Sequence, residues 1–547
     1  MTASSTKQVH IVVYGGQFWG HIRAALLLSV KLLAFSPNLV ISFPILDNFH
    51  EKVKAAVEAT IIGEGHKGDL NDSIRKRFKV EVMPISDSTE VAADVVGPIA
   101  SVIAHGSGAL QQWWTKLHAE PPQDLPLPAL AVVDIFTDHK LKSVTPNTPI
   151  YSLWSGNLLY FIFHFSPEYK GIGPAFLDAL ENIKDPVAQG EALEKAWCGA
   201  SSDEFVVDGV IRLRHYEHFA TRMPTPPGGG YMMRTLVTNL LQNVDGVLHT
   251  SGSWLEPEAQ KAVLRCYDSR LNKKSFFISM LIPATLSRPD GGPAAAQGDA
   301  SGKDPVISFM DKVLAEHGSE TVIYLSFGSL FAPFTNPWQL DVFIDTLVEH
   351  KRHFVISQAS LAPIKTPQLE AKLKAAEEAG LAATSDWVPQ NAVLEHPALG
   401  VFVTHGGWNS FCESVVQTVP LVMWPFQIDQ PLTASMMSEC KDPAVWQLYE
   451  TRGPSLPEYR PTFFQDGPRV SPLGEEIPVP TGTPGALKAE LERVLIREAA
   501  PGSSELKVRK ERMVALRHKY LDSVKRGGEQ DQAFAQLLQP VGGEVPK

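Results

Sequence analysis

Three short stretches of this chain hold residue types that could do chemistry. In the longest, an apolar run ends at Val403-Thr404 and passes through His405-Gly406-Gly407 into Trp408-Asn409-Ser410, where a helical pattern begins. A strand-to-helix turn of this kind leaves the first N–H groups of the helix without partners inside it, and a diphosphate fits against them. The glycines let the backbone approach an anion closely, while His405, Asn409 and Ser410 add side-chain donors. Glu413 lies one turn further on, on the face that looks back toward the ligand, where a carboxylate can accept from both ribose hydroxyls. Upstream, Trp387 offers a flat apolar face for a nucleobase, with Val388 next to it and Gln390 as a polar edge. Downstream, Asp429 and Gln430 follow another apolar run and would grip sugar hydroxyls.

The second stretch is GGQFWGHIRAAL, in which His21 follows the first apolar run and its loop at the expected start of a helix. A helix amino terminus disfavours added positive charge, so this imidazole should stay neutral and able to accept a proton near neutral pH, as a general base must. The third is Asp134, which closes the apolar run from Ala129 at the carboxyl edge where α/β sheets hold their ligands. Asp138 and His139 follow closely and compete for a role in the same place. The bland alternatives are a cap for either aspartate and a capping or core position for His21.

The elements that must position these groups follow an alternating rhythm. Short β-rich runs (9–14, 39–46, 78–86, 129–136, 150–154 and 244–250) alternate with longer helical patterns such as 21–35, which is the signature of βαβ units and a parallel sheet. Residues 287–304 shift to Gly, Pro, Ala, Ser and Asp without periodicity and read as a loop or linker. A second series follows at 321–327, 353–359, 400–404 and 420–424. The expectation is an N-terminal α/β domain over 1–284, a linker over 285–304, a C-terminal α/β domain over 305–515, and a helical segment over 516–547 that folds back on the first domain. Residues 171–231, ending in PTPPGGGY, fit the rhythm poorly and read as an insertion.

Composition narrows the function. At 547 residues the chain exceeds a single core, and a net charge of -11 argues against nucleic acid or an anionic membrane as the main partner. The four cysteines show no paired spacing, so neither a zinc site nor a disulfide framework is expected. The amino terminus lacks the pattern of a signal peptide, and the most apolar later stretch, LLYFIFHF at 158–165, is far short of the roughly 20 residues that span a bilayer. The expected location is the cytoplasm, with no transmembrane segment.

Residues 387–430, WVPQNAVLEHPALGVFVTHGGWNSFCESVVQTVPLVMWPFQIDQ, closely resemble the donor-binding signature of UDP-dependent glycosyltransferases of the plant secondary-metabolite type. The match covers the signature's full length and nearly all its fixed positions. Gly406 stands where Cys is usual, and Thr418 where Gly is usual. The resemblance implies a GT-B fold of two Rossmann-like domains facing across a cleft, with parallel sheets and helices on both faces. It implies UDP-glucose as co-substrate, with no cofactor and no metal. In that reading Trp387, Val388 and Gln390 hold the uridine, and His405, Gly407, Asn409 and Ser410 hold the diphosphate. Ser329, in the SFGS loop at 326–329, is a second phosphate contact. Glu413 holds the ribose, and Trp408, Asp429 and Gln430 face the sugar. The family's catalytic His and Asp correspond to His21 and Asp134, and transfer proceeds with inversion to a small, largely apolar acceptor bearing a hydroxyl. Phe18, Trp19, Trp113, Phe136 and Trp154 are the aromatic candidates for the acceptor pocket.

Two other readings compete. A nicotinamide fingerprint would need glycine at position 17, where Gln17 stands. A binding-only subunit or nucleotide-sugar sensor would keep 387–430 but lose the reacting pair, and both His21 and Asp134 are present. His215-Tyr216-Glu217-His218 lacks the order of a metalloprotease site and reads as a solvated helix face or the rim of an acceptor pocket.

Overall fold

The computed structural model describes residues 7–546 apart from 66–67, 84–92, 138, 167, 199–202, 221–228, 285, 287–303, 329 and 453–466. The chain divides into two compact units. One comprises Met1–Trp197, Thr225–Arg288 and Tyr520–Lys547, and the other Cys198–Pro224 and Pro289–Lys519.

The first unit is built on Val9–Tyr14 (β1), Leu39–Ile45 (β2), Phe78–Val82 (β3), Leu130–Asp134 (β4) and Ile150–Trp154 (β5). Glu204–Val207 (β6) and Ile211–Arg214 (β7) form a separate antiparallel hairpin that belongs to the second unit, and Gly246–His249 (β8) and Lys274–Phe277 (β9) complete the main sheet. Its seven strands run parallel in the order β3-β2-β1-β4-β5-β8-β9. Every residue of β1, β2, β4 and β5 is buried, which is why these segments read as nearly continuous apolar runs. Alternate residues of β1 feed two cores. Val9, Ile11 and Val13 pack with the helix Trp19–Phe35 and with Phe534, Leu537 and Leu538 from near the end of the chain, and Val12 and Tyr14 pack with Trp113 and Trp114.

The second unit repeats the plan with Val322–Ser326 (β10), His353–Ser357 (β11), Ala382–Ser385 (β12), Leu399–Thr404 (β13), Leu421–Met423 (β14) and Val445–Gln447 (β15), in the order β12-β11-β10-β13-β14-β15. These six strands are also parallel. A small antiparallel pair, Arg469–Val470 (β16) and Glu476–Ile477 (β17), follows. In each main sheet the strand order reverses beside the first strand, between β1 and β4 and between β10 and β13, and loops leaving the carboxyl ends there bound a crevice that suits a ligand.

The second unit also takes in 198–224, which the sequence reading placed in the first domain. The cause is a buried charge cluster. Glu217 bonds Arg469 at 3.0 Å and Arg452 at 3.2 Å, and Arg469 bonds Glu439 at 2.6 Å. The neighbouring guanidiniums hold the Glu217 carboxyl below its usual range despite burial that pushes the other way. Tyr216, Glu217 and His218 are all buried, which corrects the expectation of a solvated face or pocket rim. Of the expected linker 285–304, only residues 286 and 304 fall among the described residues.

Candidate functional site

In the first unit, β1 leads through the loop 15–18 into the helix Trp19–Phe35, so His21 lies in the first turn. Its Nδ1 bonds the Asp134 carboxylate at 2.5 Å, across 113 residues of sequence. The His21 side chain is 25% exposed and that of Asp134 only 4%, so the pair has an open end and a closed end. The other Asp134 oxygen accepts from the Phe136 N–H at 3.0 Å, which fixes the carboxylate plane. Gly16 is what lets the carboxylate sit there. Its φ is +69°, and a Cβ at this position would lie 2.9 Å from Asp134 Oδ1. The sequence shows Gly15-Gly16 plainly, yet without the fold nothing ties Gly16 to Asp134.

Phe18 and Phe136 frame the imidazole with ring centroids 5.8 and 5.6 Å away and stand edge to face with each other. Of the other aromatic candidates, two are corrected by their burial. Trp113 is 7% exposed within a core cluster. Trp154 is 1% exposed, packed against Tyr160, Phe161 and Phe165, with its indole N–H bonded to the Asn157 carbonyl. Trp19 packs on the β1–β2 core with the Lys52 ammonium 3.9 Å from its ring centroid. Trp113 and Trp154 are consumed by packing, the commoner fate of a large aromatic, while Trp19 is half-buried. His139 is buried and held down to about 4 by loss of solvation, so it is a neutral core residue, and Asp138 lies outside the described residues.

In the second unit, β13 ends at Thr404, and Gly407 is the N-cap of the helix Trp408–Gln417. Gly406 has φ +82°, a conformation that explains glycine at this position. His405 stacks on Phe331 at 5.4 Å, and its Nδ1 lies 3.2 Å from the Thr404 hydroxyl. Burial holds His405 down to about 4, so at neutral pH it offers a hydrogen bond to an anion rather than a charge.

Ser410 and Glu413 are buried on the helix beyond the turn, and Asn409 is exposed in its first turn. Gln390 ties this face together. It donates to Glu413 at 2.6 Å and accepts from the Tyr324 hydroxyl at 3.3 Å. Tyr324 is a positioning residue that the motif reading missed, because it lies inside β10 and looks in sequence like any buried strand residue. Trp387 is 77% exposed, an unusual place for a tryptophan and one suited to a flat ligand, while Val388 is buried beneath it in the chain. Trp408 is buried against Phe411. Ser329 lies outside the described residues.

Asp429 and Gln430 open the helix Gln430–Ser438, and Ile428 before them has φ +69°, a strained conformation for a β-branched residue. The Gln430 side-chain oxygen accepts from the Phe426 and Gln427 N–H groups, leaving its NH2 as the part able to meet a sugar. Thr418 has φ +57°, so the turn that usually carries glycine keeps its left-handed geometry here with a threonine in it.

Comparisons with known proteins bear on what this arrangement is. Residues 294–447 match the family model of UDP-glucoronosyl and UDP-glucosyl transferases. The chain is 30% identical over 220 residues to anthocyanidin 3-O-glucosyltransferase 7 of Manihot esculenta, covering 39% of this chain and 69% of that protein. It is 35% identical over 168 residues to anthocyanidin 3-O-glucosyltransferase 2 of Fragaria ananassa, spanning 31% of this chain and about a third, 32%, of the relative. A crystal structure of a UGT transferase from Siraitia grosvenorii in complex with UDP superposes with a TM-score of 0.65 at 16% identity, over 98% of this chain and 100% of that one. The chain belongs to the UDP-glycosyltransferase family, and its two Rossmann-like domains are those of a GT-B protein. Among the described residues no helix is long and apolar enough to cross a membrane.

Proposed function

We propose that this protein transfers a sugar, glucose, from UDP-glucose to a hydroxyl of a small, largely apolar acceptor, inverting the anomeric configuration and releasing UDP. The observation that supports it most is the 2.5 Å contact between His21 and a buried, twice-anchored Asp134 carboxylate. His21 takes the proton of the acceptor hydroxyl through its ring edge away from Asp134, and Asp134 fixes the ring and stabilises the imidazolium that forms. The acceptor oxygen then bonds the anomeric carbon as the bond to the UDP oxygen breaks. One displacement turns an α-donor into a β-glycoside. UDP departs held by the amides that open the helix Trp408–Gln417, by the His405 N–H and by the Ser410 hydroxyl, so the reading routes no step through a metal. Trp387 stacks the uracil and Glu413, held by Gln390, takes the ribose. Phe18 and Phe136 give the acceptor its apolar wall beside the base.

The test is to mix the protein with UDP-glucose and a panel of phenols, flavonoids, sterols and hydroxylated lipids and to follow UDP release and product. Glycoside formation with a β-linkage is expected. UDP-glucose binding without turnover on any acceptor would instead fit the binding-only subunit. Better use of UDP-glucuronate or UDP-galactose would overturn the glucose assignment. Gln430→Glu keeps the oxygen that caps residues 426 and 427 and removes the donors, so it should blur sugar discrimination more than it weakens UDP binding.

A further inference from the structure

The charge cluster that draws 198–224 into the second unit has one feature that folding leaves unfinished. Arg452 is 1% exposed, yet its Nε and Nη2 have no hydrogen-bond partner among the described residues. Its one ion pair among the described residues runs through Nη1 to Glu217 Oε1 at 3.2 Å, an oxygen that Arg469 Nε also holds at 3.1 Å. Arg469 by contrast is fully engaged, with two bonds to Glu439 and further bonds to Glu217 and the Arg212 carbonyl. Arg452 is therefore a buried cation with a half share of one carboxylate. Burying a guanidinium with donors unmet is costly, and such groups ordinarily find a partner.

The two unmet nitrogens are not an arbitrary pair. Nε–H and the Nη2–H beside it point in parallel from one edge of the planar guanidinium, the edge that meets two oxygens of a carboxylate or phosphate side-on. Arg452 also lines a small pocket, bounded by Arg214 and Tyr216 from the 198–224 segment, by Tyr449, and by Val479 in the run after β17. The Arg452 guanidinium carbon lies 5.1 Å from the Tyr449 ring centroid, and the Tyr449 hydroxyl donates to Glu439 at 2.9 Å.

We propose that this pocket is a binding site for a small oxyanion, a carboxylate or phosphate group, seated side-on on Arg452. The site is separate from the donor turn at 405–410, and its walls join the 198–224 segment to the 467–480 segment, so an occupant would tie the two together. A pocket this small holds the anionic group alone and excludes a nucleotide.

Side-chain NMR of protein labelled with ¹⁵N-arginine tests this at the residue itself, and residues 387–430 contain no arginine, so anion binding at the donor turn is not confused with it. In titrations with sodium phosphate and, separately, sodium acetate at constant ionic strength, one arginine Nε–H resonance should shift saturably, with half-saturation at millimolar anion, and chloride should not move it. That resonance should be missing in Arg452→Lys, which keeps the charge and loses the bidentate edge. Should that variant fail to fold, Val479→Phe, which fills the pocket from its rim, should abolish the shift. A response to phosphate alone would name a phosphoryl ligand, and one to acetate alone a carboxylate. No saturable shift of any arginine Nε–H by about 50 mM of either anion, a range in which even weak sites of millimolar Kd fill, would overturn the proposal. So would a shift that persists unchanged in Arg452→Lys or Val479→Phe.

Discussion

The two units place their candidate chemistry at equivalent points of the same topology. In the first, His21 follows β1 and Asp134 ends β4, on either side of the strand-order reversal. In the second, the loop after β10 and His405 after β13 flank the matching reversal. The contents differ. The first crevice holds a partly exposed histidine hydrogen-bonded to a buried carboxylate, and the second a histidine kept neutral by burial and hemmed by glycines, Gly328 and Gly407 both lying against its ring. One arrangement suits moving a proton, the other suits receiving an anion, and the sheet supplies only the position.

If the first crevice alone does the proton chemistry, His21→Ala should cut transfer by the order of 10² to 10⁴, with UDP affinity near wild type, as steady-state kinetics and calorimetry would show. Asp134→Asn should cost less while acting on the same step. A His21→Ala protein that retained full turnover would end the proposed division of labour. The second crevice is probed by Gly407→Ala. The new Cβ would fall 2.4 Å from His405 Nε2, and that ring is pinned by Phe331 and Thr404, so UDP affinity should drop by about tenfold or more, about 1.4 kcal/mol. Unchanged UDP binding would show that His405 is not part of the anion site.

Acid should separate the units as well. Burial holds His139, His164 and His249 of the first unit down to about 4, 3 and 3, against 6.5 in an unfolded chain. Below pH 6.5 the unfolded chain takes up protons that these rings refuse, so their stabilising effect is present above that pH and is lost as pH falls toward 4. Buried Glu256 and Asp268, both raised, work against this in the same unit. In the second unit His405 acts in the same direction as the three histidines, but Glu490, pushed up to about 7, takes its proton in the folded state first and favours folding between pH 7 and 4.5. Scanning calorimetry from pH 7 to 4.5 should show the first unit losing melting temperature faster. The reverse order would mean that other groups dominate.

The smallest effect concerns Thr418. Relief of its left-handed backbone in Thr418→Gly should stabilise the second unit by about 0.5 kcal/mol after the added freedom of the unfolded chain is set against it. Thermal melting decides the sign.

The second crevice was legible in the sequence because its groups fall within 387–430, where strand, turn and helix follow one another and each residue can be placed relative to the next. The first was legible only in part. His21 and Asp134 each sit at a recognisable strand end, but their contact spans 113 residues and was supplied by resemblance. Phe18 and Phe136 stand beside His21, but Trp113 and Trp154 are core, because packing and not residue type decides whether a tryptophan is wall or core. The transfer of 198–224 to the second unit was hidden for a related reason. Glu217 finds its partners 235 and 252 positions away, and no local pattern announces them.

The chain's path also has a consequence for synthesis. Phe534, Leu537 and Leu538 on the helix Glu529–Leu538 are part of the same core as β1 and β2, and Gln530 bonds the Ile278 carbonyl just past β9. A nascent chain emerging from the ribosome therefore makes the opening strands of the first unit long before the helix that seals them, and completes the second sheet in between. A translation intermediate halted near residue 500 should hold a finished second sheet beside a first core still open to water, and would be the form most in need of a chaperone.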